Sequence, residues 1–349
     1  RNELQNGLYV GAMHKLQKCC ALAVSWSGAI YWPCMVSGAD GCIVQYHYIY
    51  NFVENVQAPY FLACLIKNKT MIVSLKEMLQ EAMKGQYAVG AFNCLSLENV
   101  QGAIQAAEEL NAPIIIQLAE VQFPCAPLSL MGPQYLQAAE ETNVPVVVHL
   151  DHGQSFQTCA DAICQGFGSV MFDGASLPFE ENIRQTNEIA RMARACGVDV
   201  EAELGRVGDV GVDDASKDVF TDVQEAIRFV EETKVDALAV AIGNQHGHYV
   251  ATPKLNIDRL IELKEATGIP LVLHGGSGTS VEDFKACIHN GICKINVATA
   301  IQLGVTAGIQ QYLANTAKPN YIEMKACMVE ASKQVVAEHI RLFESDGKA

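Results

Sequence analysis

The chain has nine histidines, and three of them stand where apolar runs end. His152 lies in His149-Leu150-Asp151-His152-Gly153, His246 in Gly243-Asn244-Gln245-His246-Gly247, and His274 in His274-Gly275-Gly276-Ser277-Gly278. Two acids, Asp173 and Glu203, end similar runs. Three imidazoles from separate segments, converging with one coordination position left open, form the ligand set of a catalytic zinc. For any one of these histidines a hydrogen-bonded structural role would serve as well. Three at equivalent positions beside two carboxylates point to a metal. His149, two residues before Asp151, reads as a satisfied core histidine turned into the interior, and His248 as a rim residue. His14, His47, His289 and His339 carry no comparable pattern.

A phosphate site is also legible. The glycines of His274-Gly275-Gly276-Ser277-Gly278 allow close backbone approach, and the loop leads into a helix predicted to begin near Val281. Consecutive N–H groups beside a helix N-terminus bind an anion. Asn296-Val297-Ala298-Thr299 ends the next apolar run and opens another helix. One such loop could be a plain tight turn, but two in succession beside a metal favour phosphate.

The elements that must carry these residues alternate regularly from Met71 onward. Tyr87–Asn93, Pro113–Ala119, Val144–Gly153, Ser169–Gly174, Val198–Gly205, Ala237–Gly243, Pro270–Gly278 and Lys294–Ala300 are short apolar runs, many β-branched, of the kind buried on both faces of a parallel sheet. Amphipathic stretches lie between them, among them Leu97–Asn111, Phe179–Cys196, Val223–Lys234 and Ile257–Thr267, with Gly197, Gly268 and Gly291 as C-terminal stops. The layout predicts a (β/α)8 TIM barrel over 71–349, with catalytic groups at the C-terminal strand ends and phosphate between the seventh and eighth loops. A doubly wound open sheet is the competitor, but no Gly-x-Gly-x-x-Gly follows the first strand. A last helix over Ala326–Phe343 falls outside the barrel. Residues 1–70 read differently. They hold both tryptophans, six of the eleven tyrosines and five of the thirteen cysteines, and form an N-terminal extension of unknown function. A short helix is expected around Glu3–Cys20 and strands around Ala21–Trp32 and Cys42–Tyr50, with a Gly-rich break at Ser37–Gly41.

Half of the 349 residues are hydrophobic and 18% are charged, which fits a large core. A formal net charge of -15 disfavours nucleic acid and anionic membrane surfaces as partners. The cysteines are scattered, as at Cys159, Cys164, Cys287, Cys293 and Cys327, with no CxxC pair, and read as free thiols used as small buried hydrophobes. No apolar run reaches the length of a membrane span and the start at Arg1-Asn2-Glu3 is unlike a secretory signal, so a cytoplasmic chain is expected.

Taken together, Ala91-Phe92-Asn93, His149-Leu150-Asp151-His152-Gly153, Pro178-Phe179-Glu180-Glu181-Asn182-Ile183, Glu201-Ala202-Glu203-Leu204-Gly205, His246-Gly247, His274-Gly275-Gly276-Ser277-Gly278 and Asn296-Val297-Ala298-Thr299 resemble the class II ketose-bisphosphate aldolase family, over about residues 71–345. The resemblance implies reversible cleavage of a fructose- or tagatose-type ketose 1,6-bisphosphate to dihydroxyacetone phosphate and an aldehyde. It implies that His152, His246 and His274 hold Zn2+, and that Asp151 gives and takes the proton at the aldehyde-derived hydroxyl. Asp173 and Glu203 match a second divalent metal position. Asn93, Gly247, Gly275, Gly276, Ser277, Asn296, Val297, Ala298 and Thr299 match substrate-binding positions. A homo-oligomer, dimer or tetramer, is implied by the resemblance alone. The chain departs from the family where Ala119 and Val121 replace a hydroxyl residue and a glycine. It departs again in the loop Gly205–Asp214, where Asp209, Asp213 or Asp214 stands nearest to an expected glutamate. Rival chemistries are a Schiff-base aldolase and a metal-dependent hydrolase. The first would need Lys294, which reads as a surface residue at the wrong end of the eighth strand. A non-catalytic metal- and phosphate-binding barrel is the rival from another class.

Overall fold

A computed structural model of the chain describes residues 71–205, 220–245 and 254–349, and the backbone of five further short stretches. Those stretches are β1 (Ala23–Val24), β2 (Ile30–Gly38), β3 (Gly41–Tyr48), β9 (Gly208–Asp209) and His246, which belongs to β11 (Gln245–His246). Two compact units result, Arg1–Lys69 and Thr70–Ala349. In the first unit β1, β2 and β3 form an antiparallel sheet in that order, and the register of β2 and β3 runs from Tyr31↔Tyr48 to Gly38↔Gly41. The break expected at Ser37–Gly41 is therefore where this pairing reverses. The helix expected over Glu3–Cys20 lies outside the described residues.

The second unit alternates strands and helices. Its strands are β4 (Val89–Asn93), β5 (Ile114–Ala119), β6 (Val146–Gly153), β7 (Ser169–Phe172), β8 (Asp199–Leu204), β10 (Ala237–Val240), β12 (Leu271–Leu273) and β13 (Ile292–Val297). All pair in parallel and in chain order, and β13 returns to β4, so the eight strands close a barrel. The helices are α1 (Leu75–Gly85), α2 (Leu97–Leu110), α3 (Leu128–Glu141), α4 (Phe156–Gln165), α5 (Phe179–Ala195), α6 (Val223–Thr233), α7 (Ile257–Thr267), α8 (Val281–His289), α9 (Thr299–Asn315) and α10 (Tyr321–Leu342). The (β/α)8 architecture read from the sequence is thus observed.

Local chemistry explains the boundaries. Ser74, Ser96, Ser155, Asp222, Asn256, Ser280 and Asn320 cap helix N-termini by accepting from backbone N–H groups of the first turn. Gly197, Gly268 and Gly291 adopt φ values of 70°, 66° and 125°, as their places at helix ends require. α10 begins five residues before the expected Ala326, where Asn320 caps it. It packs on α2 through Gly102, whose missing Cβ would lie 2.6 Å from Val329 O. Asn99 Nδ2 donates to Ser332 Oγ across the same contact at 2.8 Å.

Two cores result from the period of two along each strand. Outward residues such as Ile114, Val146, Val148 and Val200 pack under the helices. Inward residues Val89, Ile115, Val147, Ala237 and Val272 join Leu75, Met78, Leu79 and Ala82 of α1, so this helix closes the floor of the lumen. Each fully buried leucine there contributes roughly 1.5–3 kcal/mol. Above this floor the inward side chains turn polar. Among the described residues no helix is long and apolar enough to cross a membrane. Cys94, Cys159, Cys287 and Cys293 are buried free thiols as expected, whereas Cys125, Cys164 and Cys196 are exposed and Cys327 is half-buried.

Candidate active site

The alternation of β6, β8 and β13 sends residues two apart to the same side, which here is the lumen. His149 and Asp151, Glu201 and Glu203, and Lys294 and Asn296 are three such pairs. Contacts between β6 and β13, which are not neighbours in the sheet, show that these side chains meet across the interior. The first member of each pair lies one layer nearer the floor, and the second lies at the C-terminal end.

In the upper layer Asp151 is 3% exposed and clamped from both sides. Asn93 Nδ2 donates to its Oδ2 at 2.8 Å, and Asn296 Nδ2 to its Oδ1 at 2.9 Å. Asn93 is itself set by Gln117, whose Nε2 donates to Asn93 Oδ1 at 3.0 Å. Gln122 Oε1 accepts from Asn93 Nδ2 at 3.3 Å and from the N–H of Ala119 at 3.1 Å. Burial works to raise the Asp151 pKa. The charges of His152, Lys294 and His274 and the Asn93 hydrogen bond outweigh it, so the carboxyl is held below its ordinary range.

His152 is reached through an irregularity: the β6–β7 register shifts between Leu150 and Gly153, and His152 takes φ 43°. A left-handed, non-glycine residue at a bulge beside a polar cluster is strain of the kind kept at functional sites. His152 Nδ1 lies 2.9 Å from Asp173 Oδ2 and its ring centroid 4.5 Å from that of His274. His274 follows directly on β12, fully buried, and Asn244 Nδ2 donates to its carbonyl at 3.0 Å. Its Nε2 lies 3.0 Å from Glu201 Oε1 and its Nδ1 3.2 Å from Glu203 Oε2. Burial opposes a proton on His274, but Glu201 and Glu203 prevail and push its pKa up to about 10. For His152 burial is likewise overcome, by Asp151 and then Asp173, and its pKa is raised.

The donor atoms suit a divalent cation. Asp151, His152 and His274 form one group, and His152, Asp173 and Glu203 a second, each with ligand atoms within 4.8 Å of one another. Glu203 Oε2 is buried without a hydrogen bond among the described residues, although His274 Nδ1 is near. Carboxylate and imidazole donors with such an oxygen are the set that zinc and other first-row divalent ions take. The described structure thus brings His152, His274, Asp151, Asp173 and Glu203 together. Gly247 and the side chain of His246 lie outside the described residues, as do Asp213 and Asp214. The backbone of His246 pairs with that of Asp209 in the two-residue parallel ladder of β9 and β11, which ties together the loops after β8 and β10.

The glycine loop and the end of β13 also meet. Gly276 lies so close to β13 that a Cβ would stand 2.8 Å from Ile295 Cγ2 and 3.1 Å from Asn296 O. Ser277 Oγ accepts from the N–H of Ala300 in the first turn of α9 at 3.2 Å. Gly275 adopts φ 68°, Val297 is buried, and Ala298 and Thr299 are half-buried at the helix start. The N-cap residue of α9, Ala298, has no side-chain acceptor of its own, and Ser277 of the glycine loop supplies one to the first turn instead.

The expectation for Lys294 is overturned. β13 starts at Ile292, two residues earlier than expected, which moves Lys294 inside the lumen with no exposure. Its Nζ donates to Glu201 Oε2 at 2.8 Å. His149 is the interior histidine expected: Nδ1 lies 2.8 Å from Ser169 Oγ, and burial, with Lys294 adding to it, pushes its pKa down to about 3. Gln117, Gln122, Glu201 and Asn244 were not singled out from the sequence. The spacing of two between Glu201 and Glu203 was the available signal for one of them.

The family model for class II fructose-bisphosphate aldolases matches residues 73–348. A fructose-bisphosphate aldolase of Geobacillus stearothermophilus is 41% identical over 288 residues, covering 80% of this chain and 99% of the relative. One from Staphylococcus epidermidis is 39% identical over 285 residues, with the same coverage of 80% and 99%. Among solved structures, the crystal structure of the YdjI aldolase from Escherichia coli K12 superposes with a TM-score of 0.73 at 34% identity, covering 80% of this chain and 99% of that one.

Proposed function

The chain belongs to the class II fructose-bisphosphate aldolase family, and from that membership we propose that it catalyses zinc-dependent, reversible aldol cleavage of a fructose- or tagatose-type ketose 1,6-bisphosphate. The products are dihydroxyacetone phosphate and an aldehyde. The observation that carries this is the ionised Asp151, clamped between Asn93 and Asn296 beside the imidazoles of His152 and His274. His152, His246 and His274 would hold zinc, with Asp173 and Glu203 offering a second divalent position. Bound there, zinc supplies Lewis-acid stabilisation of the negative charge that develops on the ketone half. Asp151 takes the proton from the hydroxyl that becomes the aldehyde oxygen as the carbon–carbon bond breaks and its electron pair moves toward the ketone. In the synthetic direction Asp151 returns that proton. Gly247, Gly275, Gly276, Ser277, Val297, Ala298 and Thr299 would hold the phosphate through backbone amides at the start of α9, fixing the ketone half. Asn93 and Asn296 keep Asp151 aimed.

A second reading, a related ketose phosphate with a different aldehyde half, is favoured by Ala119. It is buried and in register with Asp151 on the neighbouring strand, and offers no hydroxyl to that half. A homo-oligomer is also proposed; exposed Leu303 and Leu313 on α9 and Tyr321 and Ile322 on α10 support it, and light scattering on the full chain tests it.

The deciding assay is cleavage of fructose 1,6-bisphosphate, tagatose 1,6-bisphosphate and ketose 1-phosphates, read as dihydroxyacetone phosphate. It is run with chelator, after zinc restoration, and on His246→Ala. Zinc-restorable turnover lost in the variant is the expected result, and the preferred ketose decides between the two readings. Folded, zinc-loaded protein that cleaves none of these ketoses would overturn both.

A further inference from the structure

Beneath the proposed metal site lies a chain of polar contacts that no solvent reaches. Lys294 Nζ donates to Glu201 Oε2 at 2.8 Å, and Glu201 Oε1 lies 3.0 Å from His274 Nε2. All three side chains have zero exposure. The carboxylate can only accept, so the ring nitrogen facing it carries the proton. Nδ1 faces Glu203 and the cluster it shares with Asp151 and His152. It too carries a proton while no metal is bound, and with Nε2 held protonated by Glu201 it is the nitrogen left to ligate a cation. A buried carboxylate with no counter-charge would be costly, and the Lys294 ammonium offsets that cost. The lower side is held as well: His149 Nε2 lies 3.5 Å from Lys294 Nζ, and His149 Nδ1 is bonded to Ser169.

We propose that Glu201, fixed by Lys294, is a positioning residue that sets the tautomer and ring direction of His274 and thereby the zinc affinity of the site. This rests on the zinc reading given above. A carboxylate behind a ligating histidine orients the ring and raises its basicity, and removing such a partner typically weakens metal binding by about ten- to a hundredfold.

The test uses the full chain and zinc itself. In Glu201→Gln/Lys294→Met both charges are removed at similar volume, so the fold should survive. Its zinc dissociation constant, measured by chelator competition, should rise about ten- to a hundredfold over that of the natural chain. A second measurement needs no altered network. In zinc-loaded protein carrying 15N-histidine, the His274 ring should bear its proton on Nε2, with the signal assigned by its loss in His274→Gln. Unchanged zinc affinity in the folded double variant, or a proton on Nδ1 in the natural chain, would overturn the proposal and leave the zinc reading standing. A natural chain that takes up no zinc would overturn both.

Discussion

The two polar layers of the lumen differ in how their charges close. In the lower layer Glu201 meets Lys294, and His149, its pKa pushed down to about 3 by burial and by Lys294, stays neutral. One negative and one positive charge face each other there, sealed from water. In the upper layer Asp151, Asp173 and Glu203 surround His152 and His274. The pKa of His152 is raised by Asp151, Asp173 and Glu203, and that of His274 by Glu203 together with Glu201 from the layer below. Without a metal, this layer holds together by keeping protons on its imidazoles. A self-neutralised layer needs nothing further. A layer of carboxylates that recruits protons, and leaves a buried oxygen of Glu203 without a hydrogen bond, is one that a divalent cation completes.

Substitutions should therefore separate the layers by what they break. The largest effect belongs to Asp151→Asn, which keeps the shape and the Asn93 contact but removes the base. Turnover should fall by about 10²–10⁴-fold with zinc content and thermal midpoint nearly unchanged. Steady-state kinetics and metal analysis read this directly, and a loss below tenfold would contradict the role given to Asp151. In the lower layer, Lys294→Met alone leaves Glu201 buried without its ammonium partner, facing only the His274 ring that it shares with Glu203. Urea unfolding should show a loss of about 3–5 kcal/mol, most of it recovered in Glu201→Gln/Lys294→Met. A neutral single variant would mean that the lower layer is not closed by charge.

The contrast between layers was only partly legible in the sequence. His152, Asp173, Glu203 and His274 are found where apolar runs end, because a barrel strand buried on both faces leaves polar residues few places except its C-terminal end. Of the lower layer His149 was legible as an interior histidine, whereas Lys294 and Glu201 escaped because a single charge within an apolar run reads as a strand boundary. Lys294 therefore reads as the start of its strand, and its pairing with Val89 on β4, its complete burial and its bond to Glu201 show it to be interior. Helix α1 escaped too, since its fit to the lumen floor depends on inward residues from five separate strands. The bend at His152 could not be read either, because a positive φ at a non-glycine residue leaves no mark in composition.

Smaller than either is the effect of Asn93→Ala, which removes one of the two donors on Asp151 and frees Gln117 and Gln122 from their shared partner. A hydrogen bond to a charged group is worth about 1.5–3 kcal/mol. If that is expressed at the proton-transfer step, kcat/KM should fall about ten- to a hundredfold, less than for Asp151→Asn. A loss equal to that of Asp151→Asn would instead make Asn93 part of the chemistry.

The smallest effect per step, and the one that tests both layers in one titration, is the pH dependence of stability without metal. An unfolded histidine titrates near about 6.5. His149 stays neutral in the fold down to about 3, so below about pH 6.5 the unfolded chain binds a proton that the fold refuses. Stability from this group is complete above about 6.5 and falls with pH below it, by at most about 1.4 kcal/mol per unit. His274 behaves oppositely. Its raised pKa of about 10 gives stability that is full below about 6.5 and lost as pH climbs toward 10. His152, also raised, acts on the same side, while the lowered Asp151 and Asp173 steepen only the acid limb, where the unfolded chain takes up protons that the folded carboxylates still refuse. Urea unfolding with chelator present should therefore peak near pH 6.5. His149→Gln should flatten the fall between about pH 6.5 and 4 and leave the alkaline limb alone. Zinc should reverse that alkaline limb, because the metal takes the imidazoles only after their protons leave and so binds more tightly as pH rises. Metal-free protein that grows steadily more stable from pH 7 to 9 would show that the upper layer does not hold protons in place of a cation.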